Sequence, residues 1–169
     1  VHATAVGLSA LDDALLADNA SPANGPLWNA SYGGQMSIVE ADLGDGDDTI
    51  IASGVALVAK GGAGHDTLVG GNGARGDVLD GGTGTDSYTG GGGWDQFILR
   101  AGEADGDVIT DFEGVGAAKG DVVRLLGFAA GASVVESAPG AYAIEQGGAT
   151  VGTFFAASGL VVGKDVFFV

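Results

Sequence analysis

The chain has 169 residues, no cysteine, and 22 Asp and Glu against 6 Lys and Arg, for a formal net charge of -16. A surface this acidic repels nucleic acid and anionic membrane. With no cysteine and only His2 and His65, neither a disulfide framework nor a zinc site is expected. No run of 18 apolar residues occurs, so no spanning helix is expected, and the length fits one domain or one elongated module.

Residues 1–41 read as a flanking segment. Ser9 with Asp12 makes a capping-box-like start, and Leu11 and Leu15 share a face, which predicts a short helix over 10–17. A Pro/Gly/Asn-rich loop from Ser21 to Gly34 follows, then a strand from Met36 to Glu40. Trp28 and Tyr32 in that loop are expected to cover Ile51 and Val69, apolar residues on an outer face. Asp12, Asp13, Asp18, Glu136 and Glu145 read as solvated charges.

From Leu43 to Ile98 the sequence repeats every nine residues: LGDGDDTII, ASGVALVAK, GGAGHDTLV, GGNGARGDVLD with two residues extra, GGTGTDSYT and GGGGWDQFI. Three of these six frames carry Gly-Gly-x-Gly-x-Asp-x-U-x at every fixed position, U being a large apolar residue. The first has Leu43 in place of the opening Gly, the second has lost its Asp, and the fourth carries an insertion at Ala74-Arg75-Gly76. This nonapeptide resembles the calcium-binding repeat of RTX proteins. The resemblance covers residues 43–98 and extends more loosely over 99–127. It implies an all-β parallel β-roll, a two-sheet coil of nonapeptide repeats with several calcium ions between its turns. It also implies a chain exported unfolded by a type I secretion apparatus from a low-calcium cytosol, which folds outside the cell.

Six residues of turn and three of strand make half a coil, so two repeats complete a turn of eighteen residues. The inward column is then Ile50, Leu68 and Tyr88, facing Ala59, Leu79 and Phe97. That core is thin, and stacking the turns sets Asp48 on Asp66, Asp66 on Asp86, and Asp77 on Asp95. Two carboxylates about 4 Å apart repel by roughly 4 kcal/mol at an effective dielectric of about 20, so each stacked pair needs a cation. Calcium suits the place, because it takes carboxylate and carbonyl oxygens in flexible geometry, whereas magnesium wants a near-ideal octahedron. The expected ligands are Asp48, Asp66, Asp77, Asp86 and Asp95, with backbone oxygens of the turn glycines Gly44, Gly46, Gly62, Gly64, Gly71, Gly73, Gly82, Gly84, Gly91 and Gly93. The second frame has no Asp, so the side carrying Asp77 should hold fewer ions, and the insertion should distort the site it touches. Half of the 34 glycines lie in residues 43–98, and residues 40–121 hold 16 acids against 4 bases. An ion-free repeat region is therefore expected to be largely disordered, with binding coupled to folding.

Beyond Ile98, the runs Asp107 to Phe112 and Asp121 to Leu125 look like the closing coils of RTX modules. Asp107 falls 21 residues after Asp86 and joins the ligand set, and Asp111 is expected to serve beyond Asp95. The coil is placed at 42–112, and residues 113–169 are placed as a C-terminal antiparallel β cap. The terminal Lys164-Asp165-Val166-Phe167-Phe168-Val169 is similar to the uncleaved secretion signals of RTX proteins, and also reads as an ordinary edge strand.

Two patterns are decoys. Gly71-Asn72-Gly73-Ala74-Arg75-Gly76 matches the dinucleotide fingerprint GxGxxG, but a strand rather than a helix should follow it. Asp45-Gly46-Asp47-Asp48 lacks the Gly and Glu that an EF-hand requires. His65 is placed as an exposed turn residue and not as a catalytic base, since no nucleophile with an orienting acid accompanies it. The expected function is a secreted, extracellular calcium-binding module that supports folding and type I secretion of a larger protein, and is not itself an enzyme. Two alternatives stand beside it. One is a calcium-dependent adhesin or glycan-binding module using Trp28, Tyr32 or Trp94; the other is the tail of a secreted hydrolase or polysaccharide-modifying enzyme whose catalytic domain lies upstream.

Overall fold

The computed structural model describes residues 27–31, 38–53, 56–114, 120–157 and 160–169. The expected helix over 10–17 lies outside them, as does Tyr32. Among the described residues there is no helix, and hence none long and apolar enough to cross a membrane. The chain is all-β.

Ten successive strands alternate between two sheets. These are β1 (Leu27–Ser31), β2 (Ile38–Asp45), β3 (Thr49–Ser53), β4 (Ala56–Ala63), β5 (Thr67–Val69), β6 (Val78–Thr83), β7 (Ser87–Thr89), β8 (Gln96–Arg100), β9 (Asp105–Ile109) and β10 (Val122–Leu126). The odd strands pair in parallel in the order β1-β3-β5-β7-β9, and the even ones in the order β2-β4-β6-β8-β10. From β1 to β8 each strand therefore pairs with the one two elements later, which is why the expected period of two repeats sets the register.

The inward columns follow that register. Ile50, Leu68 and Tyr88 are in line across β3, β5 and β7, and Ala59, Leu79 and Phe97 are in line across β4, β6 and β8. All six are buried. On β5 and β7 their neighbours along the strand point outward and are half-buried, as the two-residue alternation of a strand requires. The core thickens with aromatic residues toward the C-terminal side, where Phe97 meets Tyr88 edge-on at 6.0 Å and Phe112 at 6.1 Å. Trp28 stands in register with the inward Ile50, not with the outward Ile51.

The C-terminal cap is antiparallel only in part. Strands β11 (Ser133–Ala138), β12 (Ala141–Gln146) and β13 (Ala149–Ala156) form an antiparallel meander. But β13 pairs in parallel with β9, so the meander continues the first sheet. Strand β14 (Val166–Phe168) pairs in parallel with β10 and forms the edge of the second sheet. The C-terminal strands thus add three strands to the first sheet and one to the second. Their buried residues continue the common core, with Tyr142 stacked on Phe154 at 5.1 Å.

Candidate metal centre

Between strands the chain turns at two corners, and each corner carries a column of aspartates. At the first corner the backbone N–H of Asp48 donates to Oδ1 of Asp66 at 2.8 Å, that of Asp66 to Asp86 at 2.8 Å, and that of Asp86 to Asp107 at 2.9 Å. At the second corner Leu57 N–H donates to Asp77 Oδ1 at 2.5 Å, Asp77 to Asp95 at 2.7 Å, and Asp95 to Asp121 at 3.0 Å. Every one of these carboxylates is buried. The stacking expected for Asp48, Asp66, Asp77, Asp86 and Asp95 is present, and Asp107 extends the first column.

Asp111 does not follow Asp95. Its carboxylate is half-buried and accepts the N–H groups of Gly90 and Gly91, each at 2.8 Å. The position beyond Asp95 belongs to Asp121, which the 26-residue step from Asp95 hid from a reading by period. A signal for it was present: Asp77, Asp107 and Asp121 are each followed by Val and then by a buried apolar residue, Leu79, Ile109 or Val123. In the frame that lost its Asp, Leu57 stands in the aspartate position and is fully buried.

The glycines explain how the corners fit. Gly44, Gly46, Gly62, Gly64, Gly82, Gly84, Gly91 and Gly93 have φ between +83° and +143°, the left-handed region that L side chains avoid. Gly71 and Gly73, in the frame with the insertion, are not among the positive-φ glycines. Successive turns lie so close that a Cβ on Gly62 would strike the carbonyl of Gly44, and one on Gly82 the carbonyl of Gly62. The opening glycine of each repeat makes a different contact. A Cβ on Gly61 would collide with Asp66 Oδ2 and with the carbonyl oxygen of Gly81 one coil further on, and Gly81 stands likewise against Asp86 Oδ2. Carboxylate and carbonyl oxygens are thereby brought together against a bare Cα.

The second oxygens of these carboxylates have different surroundings. Oδ2 of Asp66 and of Asp86 is buried with no hydrogen-bond partner among the described residues. Oδ2 of Asp77 instead accepts Gly71 N–H at 2.9 Å, and Oδ2 of Asp121 accepts Glu113 N–H at 2.8 Å. Inside the first corner the Tyr88 hydroxyl lies 3.5 Å from Asp107 Oδ2 and accepts Gly81 N–H at 3.1 Å. Burial pushes the carboxyls of Asp66, Asp77 and Asp107 up to about 7. The backbone N–H bonds oppose that rise, while Asp86 beside both Asp66 and Asp107, and Asp95 beside Asp77, add to it. Burial also raises Asp86 and Asp121.

No three His, Cys, Asp or Glu side chains cluster among the described residues. An ion at these corners would therefore draw on backbone carbonyls as well as carboxylates. A buried carboxylate oxygen without a donor, facing a carbonyl oxygen, is a donor set that fits a hard cation with oxygen ligands. His65 is exposed, as expected, and its Nδ1 accepts Thr85 N–H at 3.1 Å. After Gly76 comes the strand β6, so the GxGxxG run has no helix on which to seat a phosphate. No protein-family model, curated protein or solved structure matches the chain.

Proposed function

We propose that this chain is a calcium-binding module of the RTX type, wound as a parallel β-roll, that folds when it meets extracellular calcium after type I export as part of a larger secreted protein. The observation that carries this reading is the pair of buried, donorless oxygens on Asp66 and Asp86 within a column of stacked carboxylates. A cation there would supply the positive charge that the column lacks. Asp66 and Asp86 would hold it with glycine carbonyls of the adjoining turns, and Asp48, Asp107 and Asp95 would extend the series along both corners. The repeat sequence and the parallel pairing of every second strand support the same reading. On this reading the chain has no catalytic role of its own.

The test is a calcium titration of the ion-free protein followed by far-ultraviolet circular dichroism and tryptophan fluorescence, with magnesium as the control. The expected result is a cooperative gain of β signal near millimolar calcium, the range of extracellular calcium modules, and none with magnesium. A chain equally folded without calcium would end this reading.

A second reading, a calcium-dependent partner-binding or glycan-binding module, draws on Trp94, which is 72% exposed at a turn. Trp94→Ala should then abolish binding on a glycan array while leaving the calcium response intact.

A further inference from the structure

The outer face of the second sheet differs from the rest of this acidic chain. One row across it, in strict register from β2 to β10, reads Asp42, Lys60, Asp80, Ile98, Arg124. Glu40 lies two residues before Asp42 on β2, and Arg100 two residues after Ile98 on β8. At these six positions three acids thus meet three of the six bases of a chain with net charge -16. The charge on this face is graded. The β2 edge carries Glu40 and Asp42, and the β8–β10 side carries Arg100 and Arg124. Asp80 and Arg100 already hold each other, through Nε at 3.1 Å and Nη2 at 2.5 Å. Arg124 has no carboxylate within ion-pair distance among the described residues, and donates from Nη1 to Gln96 Oε1 at 3.0 Å.

Size is graded in the same direction. Two residues beyond the charged row, β2, β4 and β6 present Gly44, Gly62 and Gly82, while β8 and β10 present the paired Arg100 and Leu126. The glycines floor an open trough of about 550 Å³ rimmed by Asp42, Asp45, Lys60, Arg100 and Glu103. A depression of about 450 Å³ adjoins it over Val58, Val78 and Ile98.

We propose that this face is where two copies of the chain meet, related by a two-fold axis along β6. Such an axis lays β2 of one copy over β10 of the other and β4 over β8, and every contact occurs twice. Asp42 then faces Arg124 of the second copy, and the glycine trough receives the second copy's Arg100 and Leu126. Acidic edge meets basic edge, and small residues meet large ones. The three bases gathered on this face let two strongly acidic molecules approach with less repulsion than other surfaces would impose. This inference rests on strand register and not on the ion-binding reading.

Sedimentation velocity of the whole chain over a range of concentrations, in calcium-containing buffer, tests it. A dimer is expected. D42R and R124D should each weaken it by more than about tenfold, because each places two like-charge pairs in the interface. An equimolar mixture of the two variants should recover the dimer, since the mixed pair matches opposite charges at both contacts. Circular dichroism of each variant, matching the parent, separates lost association from lost folding. A parent monomeric at every concentration overturns the proposal and leaves the trough to some other occupant. A dimer indifferent to both substitutions, or two folded variants whose mixture stays monomeric, also overturns it.

Discussion

The two columns of aspartates are built from one repeat and do not fill its aspartate position alike. At the first, four aspartates stack without interruption and two of them, Asp66 and Asp86, leave an oxygen with no donor. At the second, the column begins with Leu57, and Asp77 and Asp121 each have both oxygens taken by backbone N–H groups. The aspartate position is thus a buried slot that the chain fills in three ways: with an apolar side chain, with a carboxylate saturated by backbone donors, or with a carboxylate left open. Only the third leaves a carboxylate oxygen with no backbone donor, as at Asp66 and Asp86. Desolvation makes such a charge costly wherever it is left unpaired.

Protons test the comparison most severely. Asp66, Asp77 and Asp107 have carboxyls raised from the usual 3.8 to about 7 in the folded, ion-free protein. Their neutral forms therefore stabilise that fold fully below the unfolded value of 3.8, and the contribution is lost as pH rises through about 7. Ion-free protein should gain β signal in circular dichroism as pH falls from about 8 to about 5, and saturating calcium should flatten that dependence. A flat profile without calcium would show that the columns do not limit stability.

Next in size is Asp86→Ala, which breaks the longer column at its middle and orphans the buried N–H of Asp66. It should lower the unfolding free energy in calcium by about 3 kcal/mol, read from urea denaturation. A smaller and sharper contrast is expected between Asp66→Asn and Asp77→Asn. Both keep an oxygen for the N–H above, but only the first removes a carboxylate with an open oxygen. Asp66→Asn should raise the calcium midpoint about tenfold and Asp77→Asn by less than about threefold. Equal shifts would erase the difference between the corners. Smallest is Tyr88→Phe, which takes the acceptor from Gly81 N–H and should cost about 1 kcal/mol in the same urea experiment.

Much of this was legible because the period is short and strict. Nine residues per half coil place Leu68 and Tyr88 on one inward column and Leu79 and Phe97 on the other, and burial follows. The glycine conformations follow as well, since only glycine takes the required φ where one turn abuts the next. What period could not reveal was pairing across long sequence separations. Thr153 to Ala156 lies beside β9 across more than forty residues, and Val166 lies beside Val123. Once the repeat ends, nothing local distinguishes a strand that joins the parallel stack from one that folds back. Asp111 was placed beyond Asp95 by count, whereas its carboxylate caps the turn at Gly90 and Gly91, and Asp121 follows a connection whose length no repeat fixes.

The intervals between stacked aspartates carry a further consequence. They are 18, 20 and 21 residues at the first corner, and 18 and then 26 from Asp77 at the second, yet each ends in the same N–H to Oδ1 bond. Whatever the interval, the next strands start again in register. A genetic insertion or the duplication of a whole coil would therefore leave the neighbouring coils in place. The unit that such a gene can copy, lose or lengthen is the stretch from one aspartate to the next aspartate above it, two nonapeptides long.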